Sequence, residues 1–224
     1  MQIRPVLIPI AAALLLTGCG SSTSASKSNF AKAINTALAK NCIAVSPHSM
    51  SNALAVNGSK YPVTVKETKA TGNGFLGISE KAAKDANARA FGPFDALVKA
   101  GLLTSTSGQI KPRLGPAGPG KTYSLTATGK KALKDKNGTT FCAGHWQVKE
   151  ITNFTEPGKA IDGATRSTVQ FTYAAADVPK WTQAAIEAGY PNLKQEIGTP
   201  GKGRADLVLT NNGWEAQVDT LNAQ

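Results

Sequence analysis

The chain has 224 residues, with 25 Lys+Arg against 14 Asp+Glu, two His and three Cys, for a formal charge of +11. Hydrophobic residues at 41% can build a core, while 17% charged and 6% aromatic residues leave the chain sparse in both. This composition excludes a polytopic membrane protein, a collagen, a coiled coil and a disulfide-dense toxin, and two His exclude a histidine-rich metal site. The length allows one large domain or two small ones.

Residues 1–18 read as an export signal. Arg4 supplies a positive charge, and an apolar run over 6–16 follows, broken once by Pro9. At 1.5 Å per residue that run spans only about 16 Å, short of the roughly 30 Å of a bilayer core, so it reads as a signal-peptide core. Leu16-Thr17-Gly18-Cys19 resembles a bacterial lipobox. The resemblance implies that Cys19 carries a diacylglycerol and becomes the mature N-terminus. The alternative is an ordinary secretory signal that contains a Cys. Similarity to enterobacterial lipoproteins, with Gly rather than Asp at position 20, implies outer-membrane sorting. Residues 19–28 are Ser-rich and read as a flexible tether.

Export also sets the redox compartment. With Cys19 lipidated, Cys42 and Cys142 remain as an even pair in an oxidising space, which predicts a disulfide between them. The alternative is a zinc site from Cys42, His48, Cys142 and His145. Those spacings are not finger spacings, so no metal or other cofactor is assigned.

A helix is predicted over 29–41, with Asn29 and Asn41 as caps and Phe30, Ile34, Ala37 and Leu38 as its apolar stripe. A short strand follows over 61–66, its start kept at an edge by Pro62. Ser79 caps a second helix over 79–91. A third runs over 93–100, with Pro93 in the first helical position and Gly101 as the stop. Leu102-Leu103 turns extended, a Gly/Pro-rich loop covers 115–120, and a strand resumes at 123–125. Thr126 or Thr128 then starts a fourth helix that ends at Leu133.

This order carries a second resemblance. Phe94-Asp-Ala-Leu-Val-Lys-Ala-Gly-Leu-Leu103, followed by Tyr123-Ser-Leu-Thr-Ala-Thr-Gly-Lys-Lys-Ala-Leu133, resembles the core of a winged helix-turn-helix domain. The resemblance implies a recognition helix running into a strand, and a wing made by the loop. It also implies a last helix opened by the Tyr-x-Leu-Thr-x-x-Gly phrase. In an exported protein, which does not routinely meet DNA, that architecture is expected to serve protein contact.

Beyond residue 138 the pattern is β-rich. Residues 146–155 read as one strand, bulged because Trp146 and Val148 alternate while Ile151 and Phe154 break step. Residues 168–173 alternate, with Val169, Phe171 and Tyr173 on one face. A helix covers 177–188. Residues 206–218 form a hairpin in which Asn212-Gly213 is expected to supply the positive φ angles of a type I′ turn. The predicted fold class is α+β: a winged-helix-like N-terminal section over 29–137, and a small antiparallel β-sheet section with one helix over 138–224.

Charge divides the same way. Residues 19–140 hold 17 Lys+Arg against 5 Asp+Glu, and residues 141–224 hold 7 against 9. The basic excess makes Lys111, Arg113, Lys121, Lys130, Lys131 and Lys134 candidate binding residues for a protein partner, nucleic acid or lipopolysaccharide.

Two phosphate motifs are satisfied in letters only. Gly115-Pro-Ala-Gly-Pro-Gly-Lys-Thr122 fits the P-loop pattern, but Pro116 and Pro119 lack the N–H donors that cradle phosphates. Gly72-Asn-Gly-Phe-Leu-Gly77 fits the dinucleotide fingerprint without the βαβ pattern around it, and reads as a turn. No catalytic residues are assigned. Ser46-Pro-His48 lacks a nucleophile elbow, His145 reads as a packed surface histidine, and Trp146, Trp181 and Trp214 read as core. Glu150, Glu156, Asp162 and Asp177 show no glycosidase spacing. The expected function is therefore non-catalytic protein binding by a lipid-anchored protein on the periplasmic side of the outer membrane, of an assembly, secretion-accessory or immunity type. The alternatives are polyanion or nucleic-acid binding through the basic section, and a cell-wall enzyme.

Overall fold

A computed structural model describes residues 21–49, 55–72, 77–111 and 116–223. In chain order the elements are α1 (Lys27–Leu38), β1 (Cys42–Val45), β2 (Val56–Asn57), β3 (Val63–Lys66), α2 (Glu80–Lys99), β4 (Leu103–Ile110), β5 (Gly118–Leu125) and α3 (Ala127–Ala132). They continue with β6 (Phe141–Phe154), β7 (Gly158–Lys159), β8 (Thr165–Ala176), α4 (Trp181–Ala188), α5 (Pro191–Gly198), β9 (Gly201–Thr210) and β10 (Gly213–Ala223).

The chain is mostly β. A curled antiparallel sheet runs β1-β6-β8-β9-β10, with β7 paired to β8, and a smaller sheet runs β2-β3-β5-β4. Two apolar cores follow from this. In the first, Phe30, Ala33, Ile34 and Leu38 of α1 meet Ile151, Val169, Phe171, Tyr173, Leu207 and Trp214 of the curled sheet. In the second, Ala90, Phe94 and Leu97 of α2 meet Val63, Val65, Leu103 and Tyr123 of the smaller sheet, together with Trp181, Ala185 and Leu193 of α4 and α5. Packing crosses the sequence. α1 and β1, from the basic part of the chain, belong with the curled sheet, and α4, from the later part, packs on α2.

Strand β6 serves both cores. Phe141 and Ala143 point into the second core, while Val148, Ile151 and Phe154 pack on the first. Successive apolar residues three apart stay on one face because the register shifts between Val148 and Glu150 and again between Ile151 and Asn153. Each shift inserts one residue and restores the parity that strict alternation would lose.

The expected winged-helix section is not there, which overturns the predicted α+β fold class. The helices expected over 79–91 and 93–100 are one helix of 20 residues with Pro93 inside it. Proline costs least in the first turn of a helix, which is why Gly92-Pro93 reads as a break. Here Ala90, Phe94, Ala96 and Leu97 are all buried on a continuous face, and that burial outweighs the lost backbone bond. Without the break there is no helix-turn-helix. The strands that were to form the wing lie in the four-stranded sheet: β5 pairs with β4 on one side and β3 on the other.

The later part differs too. Its sheet takes in β1, and it has two helices where one was expected, since Pro191 at N1 starts α5 three residues after α4 ends. Strand β9 begins at Gly201 rather than 206. Gly201 and Gly203 sit opposite Tyr173 and Phe171, and a Cβ at either glycine would collide with the facing ring. The Gly-Lys-Gly stretch is thus strand made flat for two aromatics, not a loop. In the β9–β10 hairpin, Thr210 pairs with Gly213 and positive φ falls on Gly213 alone, at 108°. The turn is therefore not type I′. Asn211 and Asn212 turn the chain with ordinary φ, and Gly213 takes the strained place after them.

Two further corrections concern the N-terminal segment. α1 is capped by Ser26, whose Oγ accepts from the Asn29 N–H at 3.2 Å, so Asn29 is not the cap. Residues 21–26 are also not a free tether. Asn29 Nδ2 donates to the Ser21 and Ser24 carbonyls, both at 2.9 Å, and Trp214 Nε1 donates to the carbonyls of Thr23 and Ser24.

Candidate binding surface

The Tyr-x-Leu-Thr-x-x-Gly phrase has a local physical account. Tyr123 is fully buried, stacks on Phe94, and donates its hydroxyl to Asp95 at 2.7 Å. Burial and that bond push its phenol well above the ordinary range. Thr126 caps α3: its Oγ1 accepts from the Gly129 N–H at 2.9 Å and donates to the Gly101 carbonyl at 2.7 Å. Gly129 lets α3 lie against the end of α2, because a Cβ there would collide with the Leu102 carbonyl. The phrase thus docks one short helix onto the α2–β4 turn.

That docking displays charge. Lys130 and Lys131, in the last turn of α3, and Lys134 and Lys136 after it are exposed. Among the described residues none of them has a carboxylate oxygen within 4.0 Å. Asp135, the acid between them in sequence, accepts from the Asn137 N–H and so closes its own turn.

Beside α3 lies an open groove of about 450 Å³, lined by Thr128, Lys131, His145, Asp177, Trp181 and the Cys42–Cys142 pair. The two Cys sit at disulfide distance, with Cα atoms 5.4 Å apart, and join β1 to β6. His145 Nε2 lies 3.5 Å from Asp177 Oδ2. Asp177 has φ of 50°, the one non-glycine among the described residues with positive φ, and this bend carries the chain from β8 toward α4. The carboxylate is mostly exposed, so its pairing with His145 is weak, on the order of 1 kcal/mol or less. With its thiols tied together, the groove offers an ammonium, an imidazole, a carboxylate and an indole edge for recognition, and no sulfur nucleophile.

The other expected site residues are dispersed. Lys121 is paired: its Nζ lies 2.9 Å from the Asp95 carboxylate and 5.3 Å from the Phe91 ring. Lys111 is exposed at the end of β4. Cys19 and Arg113 lie outside the described residues. His48 does not line the groove that holds the cysteines; its ring lies against Phe94 and its Nδ1 is 3.0 Å from the Thr139 hydroxyl. Among the described residues no three His, Cys, Asp or Glu are placed to hold a metal ion.

Residues 118–122 of the P-loop pattern are extended strand in β5, which no phosphate cradle can use. The Gly72–Gly77 pattern falls largely outside the described residues. Trp181 and Trp214 are buried and Trp146 is half-buried between the two cores.

Asp177 and Trp181 as groove residues were not foreseeable from spacing. They reach the groove through the β8–α4 bend, and only the pairing of β6 with β8, which sets His145 opposite Ala176, brings that bend to His145. Compared with protein-family models, with curated proteins and with solved structures, the chain finds no match in any of the three.

Proposed function

We propose that the protein is a lipid-anchored envelope protein, held on the periplasmic side of the outer membrane, that acts by binding a protein partner without catalysis. The observation that carries this reading is the lysine array of Lys130, Lys131 and Lys134. Exposed ammonium groups with no carboxylate at ion-pair distance among the described residues raise the local potential and attract an acidic surface. The lipobox-like Leu16-Thr17-Gly18-Cys19 supports the anchor. Among the described residues no helix is long and apolar enough to cross a membrane.

The test is charge reversal in the full chain. With Lys130→Glu, Lys131→Glu and Lys134→Glu combined, crosslinking in the native envelope is expected to lose its captured partner while the unfolding midpoint holds. An unchanged adduct would refute the reading. Labelling with palmitate, lost in Cys19→Ser, checks the anchor separately.

The same ammonium groups favour one alternative, a phosphate-rich polyanion such as lipopolysaccharide or nucleic acid. That reading requires binding to fall steeply with salt as counterions are released, and a purified lipopolysaccharide titration distinguishes it.

A further inference from the structure

The sheet edges of this fold are not treated alike. A bare edge offers a row of unpaired N–H and C=O groups, and proteins usually blunt it with short strands, charges, proline, bulges or a covering element. β1 has four residues and a register shift between Cys42 and Ala44, and β2 has two residues. β10 is long, but it carries a register shift between Val218 and Thr220 and an exposed Glu215, and α1 packs against it.

Among the described residues β4 lacks a bulge, a charge and a proline, and α2 packs against it only from one side. It is eight residues long and pairs with β5 without a single register shift, from Leu103 opposite Leu125 to Ile110 opposite Gly118. Its sequence, Leu-Thr-Ser-Thr-Ser-Gly-Gln-Ile, contains no charge and no proline. Leu103 and Ile110 are buried and pin the ends, while all six residues between them are exposed. Among the described residues nothing pairs with the far side of β4. A hydroxyl-rich strand held flat at both ends can accept another strand through its backbone, with Ser, Thr and Gln side chains available to bond the newcomer on either face.

Charge decides the occupant. β4 lies in the stretch of chain where 17 Lys+Arg face 5 Asp+Glu, with exposed Lys99 shortly before it and exposed Lys111 just after it. A second copy would bring two such basic sections together edge to edge, which is repulsive. An extended acidic segment is complementary in both backbone and charge. We infer that β4 is a strand-addition site that takes an extended, acidic segment of the partner protein. This rests on the reading that the protein works by binding, and it adds which element is used and what the partner presents.

The experiment is site-specific photocrosslinking in the envelope with the full chain. The probe residue p-benzoylphenylalanine replaces Thr106, Ser107 or Lys131 one at a time, and the crosslinked partner peptide is mapped by mass spectrometry. The expected result is an adduct from 106 or 107 to a segment rich in Asp and Glu, with a yield that falls several-fold when Lys99→Glu and Lys111→Glu are combined.

Adducts from 131 alone would overturn the strand-addition site and leave the binding reading standing. An adduct to a second copy of the chain, to a segment without acids, or one insensitive to the charge reversal would also overturn the site. No adduct from any of the three positions would overturn both.

Discussion

The two halves of the molecule solve the same problem with different means. Around α1, the curled sheet closes on a helix through aromatic edges: Phe30 meets Phe154 at 5.1 Å and Trp214 at 5.0 Å between ring centroids. Around α2, the smaller sheet relies on a polar tie under an apolar layer, with Asp95 joining Lys121 and Tyr123 beneath Phe94. The first half blunts its edges with shortness and register shifts and carries little net charge. The second leaves a strand edge open and carries the lysines. A fold that keeps its proposed binding features in one half can hold them rigid with the other.

The disulfide lies within the curled sheet, between the adjacent strands β1 and β6, and is the largest single lever on the fold. Replacing both Cys42 and Cys142 by Ser reopens a 100-residue loop, for which loop-closure entropy allows a loss of up to about 4.7 kcal/mol. Urea denaturation of the oxidised protein and the double variant measures it. A difference within error would show that β1 is held by its core contacts from Ile43 and Val45 alone.

Phe30→Ala and Phe94→Ala then compare the cores directly. Both rings are fully buried, and each loss is expected to cost about 3–5 kcal/mol. Amide hydrogen exchange should show loosening concentrated in β6, β8 and β10 for the first, and in β3 and β5 for the second. Equal loosening everywhere would mean that the cores unfold as one.

Asp95→Ala probes the polar tie. It strands the Tyr123 hydroxyl in a buried site and leaves Lys121 unpaired, at an expected cost of about 1–3 kcal/mol by chemical denaturation. The restored freedom of Lys121 should also strengthen partner capture if charge on that half drives it.

The smallest effect is set by pH. Burial holds the His48 imidazole below its ordinary value of 6.5. The unfolded chain therefore takes up that proton first as pH falls, so His48 leaves stability intact above about 6.5 and erodes it on the acid side. Denaturation midpoints on the two sides of that value should differ less in His48→Gln than in the parent chain.

Local physics made some of this legible in the sequence. The broken alternation at Ile151 and Phe154 identified the bulges of β6, because apolar residues three apart can share a strand face only if a residue is inserted. Ser79, Thr126 and Gly101 marked the ends they form, since caps act within one turn. Tertiary burial hid the rest. Pro93 reads as a break until the face from Ala90 to Leu97 is seen against the smaller sheet. Gly201 and Gly203 fall outside the strand predicted from 206 until the rings of Tyr173 and Phe171 lie across them. Lys130, Lys131 and Lys134 were legible as charge, and the docking of α3 through Gly129 leaves them exposed. Lys121, from the same basic stretch, was indistinguishable from them until Asp95 appeared beneath it. The groove was invisible because its parts come from four separate elements.

For a protein anchored as proposed, the bonds from Trp214 Nε1 to Thr23 and Ser24 would set how far it reaches. If the proposed acyl chains on Cys19 hold it to a bilayer, Cys19 and Ser21 are two positions apart in the chain, a distance of roughly 7 Å at most. The β9–β10 hairpin then stands directly over the headgroups, and the body cannot tumble freely on its anchor. A molecule so mounted presents a fixed aspect to whatever approaches it, and its partner must meet it within a narrow layer above the membrane.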